Sequence, residues 1–329
     1  MHFLRVICLF VLLQIAWSAD PFSAHGQSSD ELKALTAKVN ELYDAGKYGD
    51  AIPIAQRALA LAEKLHAPDH PTVGTALNSL GLLYRAQGRY AEAEPLYRRF
   101  ISIREKSLGP DHPNVATALN NLAVLFKVQG RFREAESLYK RSLSIREKAL
   151  GADHPQVGTS LGNLAQLYYS EARHAEAEPL AKRDLAIRER YAKGANDVDL
   201  GRALNNLALI YDAQGRVAEA EPIYQRALAI HEGALGPDHA AVGTILGNLA
   251  VVHSKQRRFA SAEQLTLRAL AVNEKRLGPE HPSTGIQLNN LAMVYQEQHR
   301  YQEAERLYIR SSAAIEKSGG TLHPQVGIA

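Results

Sequence analysis

Leucine and small residues recur along most of this chain at the spacings of three and four residues that mark one face of a helix. Two leucine ladders run three residues apart, and a glycine or alanine directly follows each leucine of the second ladder. The first ladder is Leu77, Leu119, Leu161, Leu204, Leu246 and Leu288, and the second is Leu80, Leu122, Leu164, Leu207, Leu249 and Leu291. No period-two strand pattern competes, so the chain is predicted to be all-α.

A second helical pattern follows each leucine pair after a polar turn such as Gln87-Gly88-Arg89, where glycine can end a helix in a left-handed conformation. It contains an alanine ladder of Ala93, Ala135, Ala177, Ala220, Ala262 and Ala304. The motif Asp-His-Pro, or a remnant of it, separates the pairs of patterns at His70, His112, His154, Asp197, His239, His281 and His323. Each repeat is therefore predicted to be an antiparallel helix pair, and stacking of neighbours is needed to bury its apolar stripe.

The 42-residue spacing, the Leu-Asn-Asn-Leu-Ala of 119–123, 204–208 and 288–292, and the Ile-Arg-Glu-Lys of 145–148 resemble the kinesin light chain type of tetratricopeptide repeat. The resemblance covers about residues 28–322. It implies a right-handed superhelical solenoid of antiparallel helix pairs. It does not carry over the motor function of kinesin light chains, since a fold does not fix a function.

The repeat pattern divides the chain into an array with atypical ends. A degenerate repeat at 28–69, in which Lys38 stands where leucine is expected, is predicted to be a polar-faced N-terminal cap. Residues 323–329 begin one more repeat and stop before its first helix. The six full repeats are predicted at 70–111, 112–153, 154–196, 197–238, 239–280 and 281–322.

Residues 1–26 have the layout of a signal peptide: a charge at Arg5, an apolar run over 6–17 and small residues after it. The run is shorter than the roughly 20 apolar residues that span a bilayer. Cleavage is expected after Ser18, Ala19 or Gly26, and an uncleaved N-terminal anchor is the alternative. The protein is thus predicted to be exported, to a bacterial periplasm or the medium. Its single cysteine, Cys8, lies in this segment, so a mature chain would have no disulfide or thiolate chemistry.

Charge and motifs exclude several function classes. Lys plus Arg number 38 against 35 Asp plus Glu, with no long run of one sign, which does not favour nucleic acid as a partner. The string Gly158-Thr159-Ser160-Leu161-Gly162 matches a hydrolase nucleophile elbow, but that motif requires a strand-to-helix turn and Leu161 belongs to a helical ladder. The recurrent histidines would lie on the order of 10 Å apart in stacked repeats, too far to share a metal. They are predicted to mark helix starts, and the protein is predicted to be non-enzymatic, with no cofactor or metal.

The face of the first helices is the candidate binding surface. The resemblance places the groove asparagine of tetratricopeptide repeats at Asn121, Asn163, Asn206, Asn248 and Asn290. A spaced row of amides can pair with the backbone of an extended peptide. The alternative is that these amides bond helix to helix within the array. The charged side chains predicted beside them are Arg85, Lys127, Arg202 and Lys255, and a merely solvated face is the other reading of these charges.

Two functions follow from this pattern. The first is a scaffold that binds an extended segment of a protein partner in its concave groove, outside the cytoplasm. The second is a self-associating array, joined end to end or as a dimer through an uncapped last helix near 303–317, with Leu307 and Tyr308 on its open side.

In the repeat 154–196, Asp184 stands where its neighbours have Phe100, Ser142 and Ala227, which predicts weaker packing and a hinge, or reflects sequence drift.

Overall fold

The structure, a computed structural model, describes residues 21–317 as fourteen α-helices with no strand among them. The first 20 residues of the predicted signal peptide and the truncated repeat start lie outside the described residues. The helices are α1 Pro21–Asp44, α2 Tyr48–Leu65, α3 Pro71–Ala86, α4 Tyr90–Leu108, α5 Pro113–Val128, α6 Phe132–Leu150, α7 Pro155–Ser170, α8 His174–Tyr191, α9 Val198–Ala213, α10 Val217–Leu235, α11 Ala240–Lys255, α12 Phe259–Leu277, α13 Pro282–Glu297 and α14 Tyr301–Lys317. Odd-numbered helices are the first helices of their repeats, and even-numbered helices are the second.

Contacts group the chain into an N-terminal segment that ends at Leu125 and a C-terminal segment that begins at Phe126. In the N-terminal segment, α1 packs on α2, α2 on α3, and α3 on α4. In the C-terminal segment, every helix from α6 to α14 packs on the next one, and α7, α9, α11 and α13 also contact each other in that order. The predicted all-α array of helix pairs is confirmed.

Most first helices begin at the histidine that the sequence marks as a boundary. Nδ1 of His70 accepts a hydrogen bond from the backbone N–H of Thr72 at 3.2 Å, and the helix continues through a proline at its first position. The same contact recurs at His112, His154, His239 and His281. These side chains satisfy N–H groups that a helix start leaves unpaired. The prediction that Asp-His-Pro is a helix boundary is confirmed.

The fourth repeat starts differently, because Asp197 replaces the histidine. Its carboxylate accepts hydrogen bonds from the backbone N–H groups of Asp199 and Leu200, at 3.0 and 3.1 Å, and from that of Lys193 at 3.0 Å. These bonds, led by the one from Lys193, lower the pKa of Asp197. The preceding repeat, 154–196, has 43 residues where the others have 42, and its extra residue lies in the loop after α8 that this cap closes.

The core is built from the ladders that define the repeat. Every member of the first leucine ladder is buried, with at most 1% of its surface exposed. Tyr97, Tyr139 and Tyr224 of the second helices are equally buried. A side chain at Gly81 would place its Cβ 2.9 Å from the ring of Tyr97, which explains why a small residue follows the second leucine there.

An arginine ladder that was not predicted from the sequence runs along the turns between first and second helices. Each arginine places its guanidinium over the aromatic ring five residues before it, at 3.6–4.3 Å from the ring centroid. Each also pairs with the glutamate three residues after it. The five arginines are Arg89, Arg131, Arg173, Arg216 and Arg300.

The ladder also joins successive repeats of the C-terminal segment. Arg173 binds Glu136 of the preceding second helix at 2.9 Å, and Arg216 binds Glu178 in the same way at 2.9 Å. Hydrogen bonds from Arg173, Lys140 and Tyr168 lower the pKa of Glu136 to about 2. Lys182, Arg216 and Gln214 lower that of Glu178 to about 2. These contacts tie each turn to the repeat before it.

In the repeat 239–280, His253 replaces the Tyr or Phe that lies under the arginine in the other repeats. Its Nε2 lies 3.3 Å from Glu221 Oε1 without hydrogen-bond geometry, and Arg258 binds Glu221 at 2.6 Å. Burial, reinforced by Arg258, lowers the pKa of His253. Both ring nitrogens are therefore buried without a hydrogen-bond partner among the described residues.

We expect His253→Tyr to raise the free energy of unfolding by about 1 kcal/mol. The ring would lie under Arg258, and its hydroxyl would reach Glu221 as Tyr168 reaches Glu136 at 2.8 Å. Denaturant unfolding checks the value, with amide exchange to localise the change to α11 and α12. His253→Phe separates the two contributions, because it supplies the ring without the hydroxyl. A tyrosine variant less stable than the parent protein would contradict the prediction.

Asp184, which departs from the repeat pattern, is compensated by a buried ion pair. Asp184 and Arg188 are 3% and 7% exposed, and Arg188 Nε donates to Asp184 Oδ1 at 3.1 Å. Burial raises the pKa of Asp184, and Arg188 opposes this shift. The guanidinium also donates to Thr159 Oγ1 at 2.7 Å and to Asp199 Oδ2 at 3.2 Å. Weak packing at this position is therefore not observed, while the hinge itself stays a prediction.

Two glycines of α7 make room for this pair. A Cβ at Gly158 would lie 2.7 Å from Asp184 Oδ1, and one at Gly162 would lie 2.6 Å from Oδ2. Similar glycines face buried polar groups later in the array, where Gly243 lies against Asn273 and Gly247 against Gln287. Glycine costs about 1 kcal/mol within a helix, so these positions are explained by close packing rather than helix propensity.

The last helix differs from expectation. Leu307 is half-buried and packs against the core cluster of Leu270, Leu288 and Leu291, and Tyr308 is half-buried as well. The exposed apolar residues of α14 are Tyr301 at 61% and Ile309 at 64%. The ladder position that Leu270 fills in the preceding repeat is taken by Ser312, which is exposed.

Candidate functional site

The predicted groove asparagines lie on the first helices, and some of them bond across to the preceding first helix. Asn121 Nδ2 donates to Asn78 Oδ1 at 2.8 Å in the N-terminal segment. Asn248 Nδ2 donates to Asn205 Oδ1 at 3.2 Å in the C-terminal segment. Helix-to-helix bonding, the alternative reading, therefore occurs at these two positions and also at Asn206, which accepts from Gln166 of the preceding first helix. An amide has two donors and two acceptor lone pairs, so one such bond leaves capacity for a ligand.

The other three asparagines lie in the C-terminal segment. Asn206 is buried, with 7% of its surface exposed, and its Oδ1 accepts a hydrogen bond from Gln166 Nε2 at 3.1 Å. Asn163 on α7 and Asn290 on α13 are half-buried. The row of amides is thus present on successive first helices, but its members differ in how much of them a ligand could reach.

The four predicted charges fall into two classes. Arg202 pairs with Asp199 at 2.9 Å, and Lys255 pairs with Asp212 at 2.8 Å. Arg85 and Lys127 are half-buried, and no carboxylate lies within 4.0 Å of either among the described residues. The last two therefore keep a positive charge that the fold does not neutralise locally.

A cavity of about 250 Å³ lies between the last turn of α5, α7 and α9. Its polar lining consists of Lys127, Gln166, Tyr169, Ser170 and Asn206, and its apolar lining consists of Ala165, Leu209 and Ile210. Lys127 Nζ lies 3.5 Å from Gln166 Oε1, the outer limit of a hydrogen bond. Burial lowers the pKa of Lys127. Two predicted groove residues, Lys127 and Asn206, are thereby brought into one cavity.

Tyr169 adds a hydroxyl to this cavity. Burial raises the pKa of Tyr169, and the charge of Asp212 adds to the effect. The same carboxylate acts on Tyr224, whose fully buried hydroxyl has no hydrogen-bond partner among the described residues. The phenols near Asp212 therefore stay protonated and can donate hydrogen bonds.

Neither Gln166 nor Leu209 is among the site residues that the sequence predicts. Gln166 is the one polar member of a ladder that otherwise reads Leu82, Val124, Leu209, Val251 and Met293. This polar exception in the sequence could have identified Gln166 as a site residue. It places an amide where its neighbours place apolar side chains, and this amide connects Lys127 to Asn206.

The elbow-like string lies within α7 in the described part of the chain, not at a strand-to-helix turn. Ser160, the centre of the elbow-like string, is fully buried and accepts a hydrogen bond from Arg146 at 2.8 Å. Within residues 21–317, no three His, Cys, Asp or Glu side chains are grouped to hold a metal ion. None of the helices described there is long and apolar enough to cross a membrane.

A tetratricopeptide repeat model matches the chain over residues 40–106, 80–148, 124–190, 199–275, 262–317 and 283–329. These overlapping matches cover nearly all of the described helices. No curated protein sequence matches the chain.

Solved structures of helical repeat proteins are similar to this chain. BtubC (BKLC) from P. vanneervenii is 26% identical, with a TM-score of 0.59 over 70% of this chain and 92% of that one. A kinesin light chain protein with nearly identical TPR-like repeats from P. anserina is also 26% identical, with a TM-score of 0.53 over 63% of this chain and 97% of that one. The apo form of RapI, at 13% identity, shares the fold with a TM-score of 0.68 over 87% of this chain and 98% of its own.

Proposed function

Because this chain belongs to the tetratricopeptide repeat family, whose fold is generally a non-catalytic scaffold for protein interactions, we propose that it binds an extended segment of a partner protein along its first helices, outside the cytoplasm. The observation that carries the proposal is the row of amides on successive first helices of the C-terminal segment. Asn163, Asn248 and Asn290 are half-buried there, and the bond from Asn248 to Asn205 leaves part of its capacity unused. Backbone recognition needs such spaced donors and acceptors.

Apolar side chains accompany the amides on this face. Leu209 and Val251 are half-buried and Met293 is 39% exposed, at equivalent positions of α9, α11 and α13. Alternating amide and apolar positions suit a peptide that presents its backbone and some apolar side chains. The Rap protein, which shares this fold, has a structure in complex with Competence and Sporulation Factor, which is consistent with a ligand-holding use of such arrays.

The location outside the cytoplasm rests on the signal-like residues 1–26. Cell fractionation and N-terminal sequencing of the protein from its source would test it. A chain that keeps Met1 and stays in the cytoplasmic fraction would overturn this part of the proposal.

A capture experiment with two matched variants tests the groove. Met293→Glu places a charge on the first-helix face, while Leu267→Glu places the same charge on α12, at a residue of similar exposure, 44%. We expect a partner from an extract of the source cells to be retained by the parent protein and by Leu267→Glu, and to be lost by Met293→Glu. Circular dichroism must first show equal helicity. Retention by all three proteins would contradict groove binding.

Self-association is the second candidate, and exposed residues on α14 favour it. Tyr301 and Ile309 present apolar surface on the last described helix. Sedimentation of the purified protein over a concentration series tests this candidate. Self-association is supported if the mass of the parent protein rises with concentration while Ile309→Glu stays monomeric. If capture then also returns only copies of the chain, self-association replaces groove binding as the proposed function.

A further inference from the structure

We propose that Met293 is a reversible oxidation site, where a peroxide converts the thioether to a sulfoxide and thereby weakens binding of the partner. This inference rests on the proposed function, because it adds a means of releasing the partner from the groove. After residue 26 the chain contains no cysteine, no tryptophan and no methionine other than Met293. Oxidation of sulfur in residues 27–329 is therefore confined to one position.

The first step is access to the sulfur. Met293 lies on α13 with 39% of its surface exposed. The susceptibility of a sulfur side chain to oxidation follows its exposure. Peroxide can therefore reach Met293 without unfolding the array. The equivalent positions of the other repeats hold no sulfur, since they are Leu82, Val124, Gln166, Leu209 and Val251.

The second step is the reaction with hydrogen peroxide. A lone pair of Met293 Sδ attacks one peroxide oxygen, so that an S–O bond forms while the O–O bond breaks. The sulfur loses two electrons to the peroxide, which is reduced. The departing hydroxide takes the proton of the transferred oxygen and leaves as water. One peroxide molecule is thus consumed for each sulfoxide formed.

The third step is a neighbour that can hold the product. Asn289 Nδ2, one helical turn earlier on α13, donates to Met293 Sδ at 3.6 Å. A thioether sulfur is only a weak acceptor, whereas a sulfoxide is a polar group with an oxygen acceptor. The oxygen is added to the atom that Asn289 already contacts, so the same amide can donate to it. The fold therefore accommodates the sulfoxide, in contrast to a methionine of a packed core, whose oxidation disrupts packing.

The fourth step is the effect on the groove. Leu209, Val251 and Met293 are apolar side chains at equivalent positions of α9, α11 and α13. A sulfoxide makes the last of them polar, and a polar group that a partner covers loses its hydration at a cost. Oxidation should therefore weaken partner binding. Enzymatic reduction of the sulfoxide should restore it.

Treatment of the full-length protein with hydrogen peroxide tests the modification without a partner. Peptide mapping by mass spectrometry locates the added oxygen, and NMR follows the side-chain amide of Asn289. We expect Met293 to be oxidised at a rate within about tenfold of that of N-acetyl-methionine amide, with unchanged circular dichroism and a shifted Asn289 signal. A pair of methionine sulfoxide reductases, one for each epimer, should return the original spectrum.

The capture experiment with source-cell extract, run after the peroxide is removed, tests the effect on binding. The oxidised parent protein should retain about tenfold less partner than the untreated one, while Met293→Leu should retain it equally with and without peroxide. Met293→Gln imitates the polar, uncharged product and should bind as weakly as the oxidised protein. The control Met293→Leu, Leu267→Met moves the sulfur to α12, at a residue that is 44% exposed, and should be oxidised without loss of binding.

The proposal is overturned if peroxide leaves Met293 unmodified, if its oxidation unfolds α13, or if the oxidised and untreated parent proteins retain the partner equally. Loss of binding by peroxide-treated Met293→Leu would also overturn it, because the effective oxidation would then lie elsewhere.

Failure of this proposal is distinct from failure of the groove. A partner lost by Met293→Glu but retained by the oxidised parent protein would remove the switch and leave the proposed function intact. If no variant captures a partner, groove binding fails together with the effect on binding, while mass spectrometry and the Asn289 signal alone support or overturn the modification site.

Discussion

Asp184→Ala is expected to lower the free energy of unfolding of the repeat 154–196 by about 3 to 5 kcal/mol. The substitution removes the buried carboxylate that Arg188 contacts at 3.1 Å and leaves this guanidinium only the exposed carboxylate of Asp199 at 3.2 Å. It also opens space beside Gly158 and Gly162. Denaturant unfolding and amide exchange in α7 and α8 measure the loss. Exchange matters here because an array can unfold in parts.

The double variant Asp184→Ala, Arg188→Leu is the decisive control. Replacing both partners of a buried ion pair by apolar residues is often close to neutral, whereas removing one partner is not. The double variant should therefore regain most of the stability that the single variant loses. Asp153→Ala, which breaks the exposed pair with Arg190, should cost less than about 1 kcal/mol. A double variant as unstable as the single one would show that the loss of the buried counter-ion of Arg188 is not the cause.

Acid is expected to weaken the array through the arginine ladder. The pKa values of Glu136 and Glu178 fall from an ordinary 4.5 to about 2 on folding. Because these folded-state values are lowered, their stabilising contribution is complete above the ordinary pKa and is lost as pH falls toward 2. One pKa unit corresponds to about 1.4 kcal/mol, so the shift of each carboxylate corresponds to at most roughly 3.5 kcal/mol, and solvent screening lowers its contribution below that value.

A pair of substitutions isolates this contribution from the other carboxylates of the chain. Glu136→Gln, Glu178→Gln should be less stable than the parent protein at pH 7, and its free energy of unfolding should fall less steeply between pH 5 and about 2. Glu189→Gln changes an exposed carboxylate that binds Arg226 at 2.6 Å, and should leave the slope close to that of the parent protein. Equal slopes for the double variant and the parent protein would contradict the assignment to these two residues.

The sequence predicts the helix pairs and their boundaries because these depend on local patterns. Leucine spacing and the Asp-His-Pro motif are read within a few residues, and the cap from His70 to Thr72 spans two. Only some contacts of the arginine ladder are local in the sequence. Its glutamate three residues later is visible in the sequence, but the bond from Arg173 to Glu136 joins residues 37 apart.

The candidate site shows the same limit. The resemblance identifies where the groove asparagines stand, but not that Asn121, Asn206 and Asn248 bond to neighbouring helices. Likewise, the sequence shows the charges of Lys127 and Lys255 without showing that only the second has a carboxylate beside it. Partners and desolvation depend on distances between repeats, which the one-dimensional pattern does not contain.

The buried pair in the repeat 154–196 limits how such an array can change by duplication or loss of repeats. Arg188 bonds to Thr159 within its own repeat and to Asp199 at the start of the following one. Asp184 needs glycine at both 158 and 162, and the repeat that begins at 197 supplies the carboxylate of Asp199. A recombination that placed another repeat after this one would separate a buried cation from one of its anions. Neighbouring repeats here are therefore matched parts rather than interchangeable copies, and their order is itself encoded in the packing.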